Sequence, residues 1–237
     1  MEPAEYALMD AAEGRMWWYR ALHARLLDAL SGTAGRVLDV GCGTGGFLAA
    51  LRQRYPALQT TGIEYDPAAA VRARGKSGAL VVQGSANQLP FAAASFDAAV
   101  IADVLCHAAV DPPSALAELY RVLRPGGRLV VNMPAYAWLM SAHDDRVHNV
   151  RRQSAPQTAA MLRQAGFHQV RARYWNGLLL PLMIVQRKLL ATGGAASDVA
   201  PFPPWLDRML HATTEIERRL RLPLPAGGSV LAIAEKP

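Results

Sequence analysis

Between residues 36 and 133, short apolar runs alternate with stretches of helical periodicity. Val37–Val40, Thr60–Ile63, Leu80–Val82, Ala98–Ile101 and Arg128–Asn132 have the length and near-continuous apolar content of strands buried on both faces. Helical stretches fall between them at 46–54, 67–74 and 112–123. Strands separated by crossover helices predict a parallel sheet with right-handed connections. Upstream, Leu8, Trp18, Leu22, Leu26 and Leu30 fit a helical face, which predicts one helix over the first 30 residues, closed by Ser31-Gly32. Downstream, the pattern predicts a helix at 156–165 stopped by Gly166, a strand from Phe167 to about Tyr174, and a last strand over 229–234.

Two segments break this rhythm. Residues 134–155 show no periodicity and hold His143, Asp144, Asp145, His148, Arg151 and Arg152; a long polar segment inside a compact domain is usually functional. Residues 177–221 form an apolar, partly helical insert, broken by Thr192-Gly-Gly-Ala-Ala and by Pro201-Phe-Pro-Pro. The chain therefore reads as one domain over 1–237. It comprises an N-terminal helical lid (1–32), a ligand-binding core (36–133), a substrate loop (134–155), the insert (177–221) and the last strand (228–237).

Composition narrows the class. With 51% hydrophobic and 19% charged residues, the chain has the makings of a packed core and is not disordered. Its longest apolar stretch, 177–185, falls short of the ~20 residues of a spanning helix, and Met-Glu-Pro-Ala-Glu opens no basic leader, so a cytoplasmic location is expected. Cys42 and Cys106 form no CxxC pair, which speaks against a disulfide framework or structural zinc. Charge is uneven: residues 1–145 hold 12 basic against 14 acidic groups, and residues 146–237 hold 13 against 5, a net −2 and +8. The basic half suits an acidic substrate, an anionic membrane surface or nucleic acid, or is simply a solvated face.

The chemistry centres on Gly41-Cys-Gly-Thr-Gly-Gly46, between a strand and a helix. Glycines there let backbone approach a ligand, and the helix start offers free N–H groups. Its spelling also satisfies the dinucleotide fingerprint GxGxxG, with Glu64 at about the distance of a ribose acid. Asp39, at the end of the preceding strand, argues otherwise. A carboxylate there repels a pyrophosphate and suits a ligand bearing a sulfonium and an amino group.

Taken with Gly62-Ile-Glu64, Gly84-Ser-Ala86, Leu89-Pro-Phe91, Ser95-Phe-Asp97 and Leu123-Arg-Pro-Gly-Gly127, the segment Val37–Gly45 resembles the class I S-adenosylmethionine-dependent methyltransferases, in order and spacing. The resemblance implies a Rossmann-like, doubly wound, mostly parallel seven-stranded α/β sheet, with the N-terminal helix and the helical insert before the last strand added to it. It implies S-adenosylmethionine as cofactor. Asp39, Gly41, Cys42, Gly43 and Gly45 would hold its methionine end, Glu64 its ribose hydroxyls, Tyr65, Ser85 and Ala86 its adenine, and Asp103 would face the sulfonium. Ser85 stands where the family most often has Asp. Asp97 is expected to fix a turn, and Cys42 also to serve as a small packing residue.

Ligands of open parallel sheets bind outside the carboxyl ends of the strands. There, His107, His143 and His148 are candidate bases for the acceptor's proton. Pro134-Ala-Tyr136, His143-Asp144, Arg151-Arg152 and Trp17-Trp18-Tyr19 resemble a bacterial branch of the same enzymes. The His143-Asp144-His148 set leaves open a base, a hydrogen-bonded cluster or a two-His, one-carboxylate metal site; no metal is expected. Arg151 and Arg152 fit an acidic group or a partner in Asp144 or Asp145. Trp17, Tyr19 and Tyr136 fit a wall over the sulfonium, whereas Trp18 reads as core.

The insert, with Arg187, Lys188, Arg218, Arg219 and Arg221 at its flanks, fits an apolar pocket, a peripheral membrane contact or an oligomer interface, in a monomer or homodimer. The expectation is methyl transfer to a small or lipid-like acceptor rather than to nucleic acid. An RNA or protein methyltransferase and a non-methylating, cofactor-binding relative are the alternatives.

Overall fold

The computed structural model describes residues 3–189 and 202–237; the break expected at 192–196 and Pro201 lie outside them. Strands β1 (Arg36–Val40), β2 (Gln59–Glu64), β3 (Leu80–Gln83), β4 (Phe96–Ala102), β5 (Leu123–Pro134), β6 (His168–Trp175) and β7 (Ser229–Glu235) form one sheet in the order β3-β2-β1-β4-β5-β7-β6. The pairings from β3 through β5 are parallel, and β7 runs antiparallel between β5 and β6. This is the doubly wound, mostly parallel seven-stranded α/β sheet that the resemblance implies, with the parallel part that the alternation predicts.

The strands read as continuous apolar runs because both of their faces are covered. Leu38, Val40, Ala99, Ile101, Leu129 and Val131 join one core cluster, while Val37, Ala98, Val100 and Val130 join another, the period-two division of a pleated strand. On the first face lie Leu116 and Leu119 of α5 (Pro112–Val122) and Leu162 of α7 (Ala155–Gln164). On the second lie Leu22 and Leu26 of α2 (Trp17–Ala29) and Leu51 of α3 (Gly46–Arg54). Helix α4 (Pro67–Ser77) packs its Ala70 and Ala73 against Leu48 of α3.

Local chemistry sets the helix starts. Asp66 accepts from Ala69 N at 2.8 Å and Asp111 from Ser114 N at 3.1 Å, each followed by a proline in the first turn. Ser154 and Gln157 close a capping box before α7. Asp97 plays the expected part in a turn: its carboxylate accepts from Arg36 N at 2.7 Å and Arg124 at 2.6 Å.

The N-terminal region departs from the expected single helix. It is two helices, α1 (Pro3–Ala12) and α2, because the chain turns over residues 13–16 through Gly14 and an extended Met16. Gly14 disfavours helix, and the apolar repeat has a ten-residue gap between Leu8 and Trp18 that carried no information about continuity. Helices α6 (Ala142–Arg146), α8 (Leu180–Ile184) and α9 (Pro204–Arg219) complete the described elements, with a 3-10 turn at Ala137–Leu139 and a π turn at Val185–Leu189.

Gly45, the residue before α3, has φ +91°, and a Cβ there would lie 2.7 Å from the Ala73 backbone of α4. Gly45→Ala is expected to lower stability by at least about 1–3 kcal/mol in urea unfolding. Gly126→Ala, at φ +74° with open space around it, should lose less.

Candidate active site

At the carboxyl ends of β1, β2 and β4 lies a cavity of about 350 Å³, lined by Asp39, Gly41, Cys42, Gly43, Glu64 and Asp103 among others. It forms where the strand order reverses at β1, so that the connections after β1 and β4 diverge to opposite faces. Gly41 (φ +74°) is pressed against the loop after β4; a Cβ there would meet Val104 at 2.3 Å. The backbone is therefore bare where a ligand approaches.

Asp39 is 4% exposed, and its Oδ2 has no hydrogen-bond partner among the described residues. Burial, followed by the charges of Glu64 and Glu13, pushes its carboxyl up to about 8. A buried acid facing other acids is held in a state that a cationic ligand would relieve. Glu64 Oε2 accepts from Gly43 N at 2.8 Å, and its Oε1 accepts from Asp66 N and from the Tyr6 hydroxyl, both at 3.0 Å. Burial also raises the thiol of Cys42, which packs beneath Gly62 and suits the packing role more than any reactive one.

Asp103 (φ +53°) receives both oxygens' hydrogen bonds from Asn132 Nδ2 at 2.9 Å, and Trp175 Nε1 donates to Asn132 Oδ1 at 2.9 Å. Burial lifts Asp103 to about 6 against the opposing effect of Asn132. Two of the residues assigned to adenine lie apart from the cavity lining: Ser85 Oγ accepts from Asn87 N at 3.2 Å and Ala86 packs on the main core. Tyr65 is 71% exposed and likewise lies outside the lining. Gly45 shapes the loop without lining it.

Helix α1, within the stretch expected as an N-terminal lid, lies at this end of the cavity through residues that the sequence reading had not singled out. Tyr6, Met9 and Glu13 share a helical stripe: Tyr6 reaches Glu64, Met9 lies over Gly43, and Glu13 Oε1 accepts from Thr44 Oγ1 at 2.6 Å. Lys76 of α4 pairs with Asp10 and Glu13, and Arg146 of α6 lies 3.4 Å from Glu5.

The far wall comes from α2 and the insert. Trp17, Tyr19, His23, Met183 and Phe202 line it. Trp17 packs with Leu179 and Leu210, while Trp18, also at the lining, joins the core beside Trp175, with ring centroids 6.2 Å apart. His23, which the sequence reading passed over, sits one helical turn beyond Tyr19 on the same face, and that i,i+4 pair was the available signal. Burial drives His23 down to about 4 and holds the Tyr19 phenol protonated.

The substrate loop separates the expected candidates. His143 and His107 line the cavity; His148 is exposed, with φ +57°, and lies outside it. The His107 imidazole is hydrogen-bonded to the Val147 and Asp103 backbone, and burial lowers it to about 4. Arg151 donates to His107 O at 2.7 Å and does not line the cavity, which corrects its expected substrate role. Tyr136 is also displaced, stacked between Trp138 and Tyr174 rather than over the cavity.

Asp144 turns inward. It is fully buried, and Arg152 grips it with bonds of 2.9 Å to both oxygens, while Ser141 N caps it at 2.9 Å. Burial alone would raise its carboxyl; the Arg152 bonds and charge together outweigh that and hold it below the usual range. With its oxygens so committed, and the two histidines apart, the set does not converge as a metal site. Among the described residues no group of three or more His, Cys, Asp or Glu side chains is placed to hold a metal.

Residues 38–131 match the family described as a methyltransferase domain. The chain is 41% identical over 119 residues to a demethylmenaquinone methyltransferase of Deinococcus radiodurans, covering 48% of each chain. It is 37% identical over 143 residues to an O-methyltransferase of Penicillium expansum, covering 55% of this chain and 51% of that one. The chain thus spans about half the length of these relatives. In fold it matches an S-adenosylmethionine-dependent methyltransferase of Thermotoga maritima over 99% of this chain and 96% of that one, with a TM-score of 0.61 at 21% identity.

Residues 38–131 thus carry a methyltransferase domain of the S-adenosylmethionine-dependent class. Its cofactor is S-adenosylmethionine, and the residues present fit it: an orphaned buried carboxylate at Asp39 for a cationic group, a second acid at Glu64, and bare glycine backbone between them.

Asp39 binds a proton in the folded state well above its unfolded value of 3.8, so ligand-free stability should fall as pH rises from about 4 to about 8. A cationic cofactor favours the ionised carboxylate. Thermal melts are therefore expected to show a larger S-adenosylmethionine-induced rise in Tm at the upper end of that range than at the lower. Asp144→Ala leaves Arg152 buried without its counter-charge and should cost about 3–5 kcal/mol, measured by urea unfolding.

Proposed function

We propose that the chain transfers the methyl group of S-adenosylmethionine to an apolar, hydroxyl-bearing small molecule of the quinol or phenol kind, at oxygen or at an activated ring carbon. One observation carries this reading: the cofactor residues Asp39 and Glu64 and the apolar wall of Trp17, Met183 and Phe202 line the same cavity. The kinship with a demethylmenaquinone methyltransferase and an O-methyltransferase supports the same acceptor class.

When bound, S-adenosylmethionine supplies a methyl group on a positively charged sulfur, open to in-line displacement. The chain's share of the work is alignment, exclusion of water and removal of the acceptor's proton. Trp17, Met183 and Phe202 give an apolar ring its resting surface. The buried pair Asp144–Arg152 holds the loop carrying His143, since Arg152 also donates to Ala135 O at 3.2 Å beside β5. His143 is the base in this reading. His107 is not, because its ring is committed to backbone carbonyls.

Incubation of the protein and methyl-labelled S-adenosylmethionine with host-cell extract, followed by solvent partition, should place protein-dependent label in the organic phase. His143→Gln should reduce that rate about a hundredfold to ten-thousandfold, while His148→Gln leaves it within a few-fold. Label confined to the RNA or protein fraction would overturn the small-molecule reading.

A further inference from the structure

Helix α9 is built inside out. The arc it buries carries Leu210, Thr214 and Glu217, and the polar members are tied to α2 through Arg25, whose guanidinium donates to Thr214 O at 2.8 Å. Its exposed arc carries Trp205, Met209, Ala212 and Ile216, continued by Leu220 at the helix end. Their spacings of three and four residues place them on one stripe. Trp205 is 63% exposed and Leu220 65%, so the stripe stands free rather than half-covered.

The exposed charges around the stripe are of one sign. The charged residues among the exposed positions of α9 are Arg208 and Arg219, both on the same border of the stripe. Of the acids, Asp207 pairs with Arg20 and Glu217 is buried; Glu215 lies on the same border as the two arginines, half-covered and paired with Arg218 and, at 3.5 Å, with Arg219. Two arginines expected to form a basic flank are turned away from it. Arg218 bridges Asp28 and Glu215, and Arg187 donates to Leu139 O and lies 3.7 Å from Asp144. The lysine at 188 has no described side chain.

Apolar side chains are exposed on another segment too. Leu178, Leu182 and Val185 are exposed, while Leu179 between them packs with Leu210 of α9 and Trp17.

We propose that α9 lies in the plane of an anionic lipid surface, its stripe of Trp205, Met209, Ile216 and Leu220 entering the acyl boundary while Arg208 and Arg219 meet the phosphates. An apolar stripe whose exposed charges are cationic, with an indole at one end, is the arrangement of an interfacial helix. The exposed Arg208 and Arg219 favour an anionic surface over a cationic one. Phe202, which lines the cavity, packs with Leu210 of α9. The inference does not depend on the acceptor, and its test involves no methyl transfer.

The test is co-sedimentation of the whole chain with vesicles of phosphatidylcholine containing phosphatidylglycerol, and with vesicles of phosphatidylcholine alone. The protein is expected to sediment with the first and largely to stay in solution with the second. Arg208→Gln and Arg219→Gln should each weaken partition about fivefold. Trp205→Ser with Ile216→Ser should weaken it by at least about tenfold, with the thermal melt unchanged because both side chains are already in water. Failure to sediment with either vesicle would overturn the proposal, as would sedimentation indifferent to the α9 substitutions. A dimer in light scattering that Ile216→Ser dissociates would overturn it too, by giving the stripe to a second copy.

Discussion

The loops leaving β1 and β4 meet at a contact that only a missing side chain allows. Gly41 lies so near Val104 that a Cβ would overlap it, and from that approach the rest of the ligand-binding edge follows. With the first loop held against the second, Asp39 and Asp103 come to face one cavity, and the Gly43 amide is aimed at Glu64. Burial pushes both Asp39 and Asp103 up, and the charges of Glu64 and Glu13 push Asp39 further, so the cavity suits a cation better than a phosphate. The same dinucleotide-like spelling of glycines can serve either ligand. The acid at the end of β1 separates them.

Much of this was legible in the chain itself. Strands with both faces covered announce themselves as apolar runs, and Asp66-Pro67 and Asp111-Pro112 announce helix starts, because burial and capping are local in sequence. Asp39, Gly41, Gly43 and Glu64 were readable for the same reason: each sits at a strand end whose position the pattern fixes. The acceptor side was much less so. Whether His143 or His148 faces the cavity turns on α6, a five-residue helix, and on a left-handed residue at 148, and neither leaves a periodic trace. The pairing of Arg152 with Asp144 was one of two roles the sequence left open, and no apolar repeat in the loop chooses between them. Residues 1–30 show the same limit, where one glycine and one extended methionine divide what the spacing joins.

The uneven charge of the chain takes on a different meaning once partners are known. Several arginines of the basic half are structural: Arg152 inside the loop, Arg187 over it, and Arg218 between α2 and its own helix. Net charge counted by segment therefore overstates what the surface shows. The groups left facing outward on α9 are few, and their placement beside an apolar stripe carries more information than their number.

Helix α1 has a kinetic consequence. Its Tyr6, Met9 and Glu13 rest on Glu64, Gly43 and Thr44 beside the cavity, and its acids Asp10, Glu13 and Glu5 are pinned by Lys76 and Arg146. A spent cofactor leaving by this side, and a fresh one arriving, both cross a boundary stitched by ion pairs on two different elements. One of those elements is the acceptor loop. The exchange of one ligand is thereby tied to the arrangement around the other, so the two ends of the cavity keep time together.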